Sequence, residues 1–242
     1  MPIVVVTGTG TEIGKTVVTA AVAAAAAAQG RTVAVLKPAQ TGLAAGEAGD
    51  AQEAARLAGS GVTGVELARF PEPLAPATAA RRAGMPPVAP QAVAEAAEKL
   101  AAEHDLVLVE GAGGLLVRFD DAGGTLAESA RLLRAPVLVV APPGLGTLNM
   151  TALTAEALRA RSLEPLGVVV GSWPAVPGLA ARCNLADLPE AAGAPLLGVV
   201  PEGSGSLPAA AFRTAAPHWL APALGGVWNA DAFAQAFAAA VG

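Results

Sequence analysis

Near its start the chain reads "VVVTGTGTEIGKTVVTAAVAAAAAA". An apolar run meets a loop containing Gly8, Gly10 and Gly14, then Lys15 and Thr16, then a long alanine-rich stretch. Residues of these types, in this order, make a phosphate cradle. Glycines let backbone amides approach phosphate oxygens, and the following helix adds its N-terminal dipole. Lys15 supplies a cation for the β- and γ-phosphates, and Thr16 a hydroxyl for Mg²⁺. The spacing is unusual. In the common pattern of glycine, four residues and Gly-Lys-Ser/Thr, the first glycine would fall on Thr9; here it is Gly8.

A nucleotide–Mg²⁺ site also needs carboxylates. Glu110 follows the apolar run Leu106–Val109, at its carboxyl end, where a metal-binding acid belongs. Asp105 precedes the same run, so it should lie at the opposite edge, ~17 Å away by strand rise. In "EAGDAQEAARLAG", Asp50 is a second candidate, while Glu47 and Glu53 read as acids placed for a helix dipole. Lys37 ends another apolar run in "VAVLKPAQTG". A buried lysine needs an anion, such as phosphate or a carboxylated substrate. Further on, "PPGLGTLNMTALTAEALRA" reads as a turn feeding a helix, whose free first-turn amides can receive another anion.

The elements that must carry these residues are legible. Six short apolar runs, Ile3–Val6, Val33–Leu36, Leu106–Val109, Val137–Val140, Leu166–Val170 and Leu196–Val200, do not alternate with polar residues. That is the pattern of strands buried on both faces. Alternation with helical stretches predicts an α/β fold, a doubly wound, mostly parallel sheet covered by helices on both faces. Each run is followed at once by a polar or glycine-rich segment: "TGTGTEIGKT", "KPAQTG", "EGAGG", "APPGLGTLN", "GSWP" and "PEGSG". Ligands of open parallel sheets bind beyond the carboxyl ends of the strands. The six segments therefore converge on one edge. Pro71–Pro90 reads as a long loop, "GSGSLP" as a linker and the trailing "FAQAFAAAV" as a packing helix. Trp173 and Trp219 read as core or rim residues.

Composition narrows the function. The 242 residues are 53% hydrophobic and 14% charged, but alanine makes up much of the apolar count. Gln29, Gly30 and Arg31 stop the longest apolar run before it could span a bilayer. No basic stretch precedes the first apolar run, so no secretory signal is expected. A net charge of −5 argues against a nucleic-acid surface. A lone cysteine, Cys183, allows no intrachain disulfide and fits a reducing cytoplasm. With only His104 and His218, neither a zinc site nor a Ser-His-Asp triad is supported. The residues read as one domain over 1–242 that performs Mg²⁺- and nucleotide-dependent phosphoryl transfer, with a second, lysine-marked substrate site.

The motifs "VTGTGTEIGKT", "KPAQTG", "VEGAGGLLV", "LGTLNMTALT" and "GVVVGSWP", in this order, resemble the dethiobiotin synthetase family. The family's phosphate loop carries the same extra residue between its glycines. The resemblance implies an ATP-dependent cyclo-ligase of biotin biosynthesis. Its substrates are 7,8-diaminopelargonate (7,8-diaminononanoate), CO₂ and ATP, and its products dethiobiotin, ADP and phosphate. The route implied runs through a carbamate and a carbamic-phosphoric anhydride. The diamine is its own nucleophile, so the protein's task is positioning and charge neutralisation.

By the same resemblance, Lys15, Lys37 and Thr11 act on the reacting groups. Glu12, Ile13, Gly14, Lys15, Thr16, Val17, Asp50, Glu110, Gly111, Ala112 and Gly113 surround the nucleotide. Gly171, Ser172, Pro201, Glu202 and Gly203 border its base. Thr16, Asp50 and Glu110 hold Mg²⁺. Lys37, Thr41 and the helix start at Gly146, Thr147, Leu148 and Asn149 bind the substrate, the helix start serving the partner subunit of a homodimer. The loop around Pro73–Pro76 matches more weakly. Many relatives carry an Asn after the fifth strand that reads adenine; this chain has "GSWPAVP", which predicts relaxed base selectivity, with other nucleoside triphosphates accepted beside ATP. From about Ser206 no residue matches. Two other P-loop readings differ in checkable ways. Amidoligases of this superfamily carry a glutaminase domain with a nucleophilic Cys and a His. Partitioning ATPases carry an additional lysine early in the loop, whereas the first lysine here is Lys15. A nucleotide switch would bind nucleotide with indifference to the diamine.

Overall fold

The computed structural model describes residues 2–238. Their strands form one seven-stranded sheet in the order β3-β2-β4-β1-β5-β6-β7, and every pairing is parallel. The strands are β1 (Ile3–Gly8), β2 (Val33–Thr41), β3 (Val62–Phe70), β4 (Leu106–Gly114), β5 (Val137–Ala141), β6 (Pro165–Trp173) and β7 (Leu196–Pro201). Helices α1 (Lys15–Ala28), α2 (Asp50–Ala58), α3 (Pro76–Ala83), α4 (Pro90–Ala101) and α5 (Leu126–Leu133) connect the first five. Helices α6 (Thr147–Arg159), α7 (Leu179–Ala192), α8 (Ala209–Ala215) and α9 (Ala230–Ala238) follow among the described residues. From central β1 the chain winds out to β2 and β3, returns through β4, then winds the other way through β5 to β7. The reversal puts the β1 loop at the switch point, where such sheets bind ligands.

Both faces are covered, which is why the strands read as unbroken apolar runs. Val4 and Val6 face a cluster built with α1 and α2, while Val5 faces one built with α3, α4 and α5. The alanine tract of α1 is buried from Val18 to Ala26. Its small side chains let the helix lie close against the sheet and α2. Among the described residues no helix is long and apolar enough to cross a membrane.

The six expected strands are all present, and the sheet is wholly rather than mostly parallel. A seventh, β3, was not expected, and neither was α3 inside the proline-rich stretch 71–90. Pro76 stands at the first position of α3, where a missing N–H costs nothing. "GSGSLP" is likewise no open linker: Ser204–Ser206 forms a 3₁₀ turn, with the buried Ser204 hydroxyl donating to Pro201 O at 2.7 Å. The "FAQAFAAAV" segment is helical as far as Ala238; its last residues lie outside the described ones. Trp173 packs edge-on against Phe233 and Phe237, as a core residue. Asp105 sits at the amino edge of the sheet and accepts from the Thr32 amide and hydroxyl, far from the loops of interest.

The segment beyond β7 covers the sheet's edge. Leu220 makes an antiparallel bridge to Gly198, and the Ala221 amide donates to Leu197 O at 2.8 Å.

Candidate active site

The loop after β1 is seated by glycine on glycine. Gly14 caps α1 with a left-handed backbone, φ 90°. A β-carbon on Gly14 would lie 2.2 Å from Gly171 O, and one on Gly171 would lie 2.0 Å from Ile13 O. The loop therefore rests backbone to backbone on the end of β6, a contact that only glycine permits. Ile13 folds over Gly8, where an added β-carbon would meet it at 2.7 Å. Glu12 holds the left-handed region, φ 58°, an uncommon conformation for a residue with a side chain.

Five charged or polar side chains converge at this loop. Lys37, from β2, is 3% exposed, and Glu110, from β4, is 1% exposed. Lys37 Nζ lies 2.5 Å from Asp50 Oδ2 and 2.9 Å from Glu110 Oε1, and it donates to Gly111 O at 3.0 Å. Thr16 Oγ1 donates to the same Glu110 oxygen at 2.9 Å. Lys15 Nζ donates to Gly10 O at 2.7 Å. Burial pulls the Lys37 ammonium toward its neutral form, but Glu110 and Asp50 outweigh that and hold its pKa above the ordinary lysine range. Lys15 moves the other way: burial, then the neighbouring Lys37 charge, lower it against the pull of Glu110 and Asp50.

These groups line a cleft of about 810 Å³. Its floor is Thr11, Glu12, Gly14, Lys15, Thr16, Lys37, Asp50, Glu110, Ala112 and Gly113. Thr41 and an apolar wall of Leu43, Pro73–Pro76 and Val117 continue it. So the fold brings together the residues marked by phosphate-loop, lysine and carboxylate reasoning. Gln40, which also lines the cleft, was not singled out in the sequence. Its buried side chain accepts from the Asp50 amide at 2.8 Å, a role with no local sequence pattern.

Other candidates lie outside this lining. Ile13 and Val17 face away into packing against the core around α1. Gly111 is buried, with room for nothing larger beside Leu126, and offers its carbonyl to Lys37. Ser172 and Pro201–Gly203 form a neighbouring rim: the Glu202 amide donates to Trp173 O at 2.7 Å, joining the ends of β6 and β7. Glu47 and Glu53 are structural. Glu47 accepts from the Ala44 amide within its own loop, and Glu53 pairs with Arg56. The turn ahead of α6 stands apart from the cleft. Gly146 caps α6 with φ 92°, and buried Asn184 holds the turn by donating to Pro143 O and Gly144 O at 2.8 and 3.1 Å.

The donors suit a small hard cation. Among the described residues no group of three or more His, Cys, Asp and Glu could hold a metal. The cleft offers instead two carboxylates and a hydroxyl, a set that Mg²⁺ completes with phosphate oxygens and water. Glu110 Oε2 is buried and has no partner, an orphaned acceptor of the kind a cation or its water satisfies.

A family model described as an AAA domain matches residues 3–208. Among solved structures, the cell division ATPase MinD of Pyrococcus furiosus is similar with a TM-score of 0.56 at 19% identity, covering 89% of this chain and 97% of that one. A ParA family ATPase from Chlorobium tepidum is similar with a TM-score of 0.56 at 12% identity, over 88% of this chain and 90% of its own. At those identities the likeness shows the P-loop NTPase fold. Sequence relatives go further. An ATP-dependent dethiobiotin synthetase BioD of Streptomyces coelicolor is 73% identical over 96% of this chain and 98% of its own length. A protein of the same name from Streptomyces avermitilis is 70% identical over 98% and 99%. With identity this high over nearly the full length of both chains, the protein belongs to the dethiobiotin synthetase family, ATP-dependent ligases of biotin biosynthesis.

Proposed function

We propose that the chain, acting as one domain over residues 1–242, converts 7,8-diaminononanoate, CO₂ and ATP to dethiobiotin, ADP and phosphate. The observation that carries this reading is the Lys37–Asp50–Glu110 constellation, with Lys37 and Glu110 buried, opening beside the phosphate loop. It concentrates charge without a nucleophile: neither Cys183 nor either histidine lines the cleft. A reaction in which the substrate amine first takes up CO₂ as a carbamate, whose oxygen then attacks the γ-phosphate, requires no more. The second amine closes the ring on the carbamic-phosphoric anhydride and expels phosphate. Positioning and charge neutralisation carry such phosphoryl transfers.

In this reading Lys15 and the loop amides hold the β- and γ-phosphates, and Lys37 neutralises the carbamate and the transferring phosphoryl group. Thr11 donates to the reacting groups from the loop. Thr16, Asp50 and Glu110 would hold Mg²⁺, directly or through water, and the metal when bound would neutralise phosphate charge. Gly111–Gly113 approach the nucleotide closely, and Gly171, Ser172 and Pro201–Gly203 lie on the side of its base. The apolar wall from Leu43 to Val117 suits the alkyl chain of the diamine, with Thr41 beside it.

The protein works in this reading as a cytoplasmic homodimer. Leu145 is 96% exposed, and Met150 and Leu153 on α6, Val176 ahead of α7 and Leu179 at its start are exposed too. Apolar surface of that kind supports a protein–protein contact. Residues 146–149 stand outside their own cleft, which fits a helix start that receives the substrate carboxylate in the partner subunit's site. Release of phosphate, measured with and without the diamine and bicarbonate, tests the function. Stimulation by both is expected. Phosphate release indifferent to the diamine would sink the synthetase reading and favour a nucleotide switch.

A further inference from the structure

We propose that Glu66 and Arg69, on the outer strand β3, are positioning residues that hold Asp50 against Lys37. The proposal rests on the reading of Asp50 as a carboxylate of the reaction site.

Asp50 is the first residue of α2, and the loop that leads to it, residues 42–49, lies over the end of β3. Arg69 gathers that loop. Its Nη1 donates to Ala44 O at 3.1 Å and to Glu47 O at 2.7 Å, and its Nη2 to Gln52 Oε1 at 3.2 Å. Glu66 fixes the guanidinium with two bonds, at 3.0 and 2.9 Å. Gln52 Oε1 in turn accepts from the Gly49 amide at 2.7 Å, closing the cap of α2. Five donors on a rigid plane let an arginine bind several acceptors at once.

The packing is close, with the ends of three side chains crowded over Gly49. A β-carbon on Gly49 would lie 1.9 Å from Glu66 Oε1, 2.9 Å from Arg69 Nη2 and 3.0 Å from Gln40 Oε1. A β-carbon on Gly64 of β3 would lie 2.5 Å from Ala51 O. The start of α2 is thus pressed onto β3 from below by Gly64 and tied from the side by Arg69. Strand register carries the tie to the reaction centre. Glu66 pairs with Lys37 and Arg69 pairs with Gln40, whose side chain accepts the Asp50 amide. An exposed pair of this kind contributes little by itself. This one is only 10% and 23% exposed, and its arginine also binds two loop carbonyls.

A double-mutant cycle tests the proposal. Arg69→Met, Asp50→Asn and the double variant are compared by turnover. They are also compared by Mn²⁺ binding in the presence of ATP, followed by electron paramagnetic resonance. Arg69→Met is expected to weaken Mn²⁺ binding and turnover by about 10- to 100-fold, the usual loss for an outer partner of a metal ligand. In the Asp50→Asn background it is expected to cost nothing further. Arg69→Lys should recover little, because an ammonium cannot span the same acceptors. If Arg69→Met does not fold, Glu66→Gln carries the same cycle. Equal losses in both backgrounds, or a lower melting temperature with Mn²⁺ binding and turnover intact, would overturn the positioning role alone. Full turnover and Mn²⁺ binding by Asp50→Asn would overturn the reading of Asp50, and the positioning role with it.

Discussion

Lys37 Nζ and Glu110 Oε1 meet at 2.9 Å on neighbouring strands, both side chains almost wholly enclosed. Removing one member leaves the other charge buried without its partner, which costs about 3–5 kcal/mol where it has been measured. Lys37→Ala is therefore expected to lower the melting temperature and to abolish turnover, with nucleotide binding largely retained through Lys15 and the loop amides. Lys37→Met combined with Glu110→Gln should be less destabilising than Lys37→Met alone. Thermal unfolding and a phosphate-release assay check both statements, and unchanged turnover in Lys37→Ala would remove this lysine from the mechanism.

The contact of Gly14 with Gly171 makes a prediction far from any charge. Gly171→Ala places a methyl group 2.0 Å from Ile13 O. The phosphate loop must shift, and overpacking of this kind costs about 1–3 kcal/mol. The expected result is at least a tenfold loss in ATP affinity by calorimetry, with a smaller effect on secondary structure by circular dichroism.

Base selectivity is testable by comparison of nucleotides at saturating diamine. Where the family resemblance implies an adenine-reading Asn, the strand end here is Ser172 followed by Trp173, and Trp173 is turned into an aromatic cluster with Phe233 and Phe237. CTP, GTP and UTP are expected to support turnover within about tenfold of ATP, the factor set by ~1.4 kcal/mol. Strong preference for ATP alone would refute this.

The start of α5 predicts an acid-sensitive contribution to stability. Thr125 accepts from the Ala127 amide at 3.2 Å, while its own amide and hydroxyl donate to Glu128. Partial burial raises the Glu128 carboxyl, but those donors and Arg161 outweigh it and hold the group below the ordinary glutamate range. A depressed carboxyl stabilises the fold above its unfolded pKa, about 4.3, and the contribution is lost as pH falls through the lower folded value. Thr125→Ala should cost about 1 kcal/mol at neutral pH, and the difference from wild type should shrink on acidification. Melting temperatures between pH 7 and 3 measure it.

Why some of this was legible and some was not follows from burial. Strands enclosed on both faces, such as β1 and β4, carry a composition that leaves few alternatives. The outer strand β3 does not: Thr63, Gly64, Glu66 and Arg69 interrupt it, because one side meets α2 and the loop of residues 42–49 rather than another strand. Lys37 and Glu110 stood out because each closes an apolar run with a charge, and Lys15 because it follows the glycines of a phosphate loop. Gln40 did not, and Gly171 stood out only as a border of the base, not as the seat of the phosphate loop. Gln40 acts by accepting one backbone amide from α2, and Gly171 by yielding space to a loop that is distant in sequence. Such relationships exist only after the strands are side by side.

The cover over β7 also constrains how copies of the molecule can meet. An open parallel sheet exposes a row of unpaired amides and carbonyls at its rim, a template for continuous pairing between chains. Leu220 and Ala221 occupy part of that rim here, and the opposite rim carries Glu66 and Arg69. Sheet-to-sheet growth is disfavoured at both margins, which leaves helical surfaces to mediate association, so the polymerisation hazard of a long sheet is contained by the same chain that builds it.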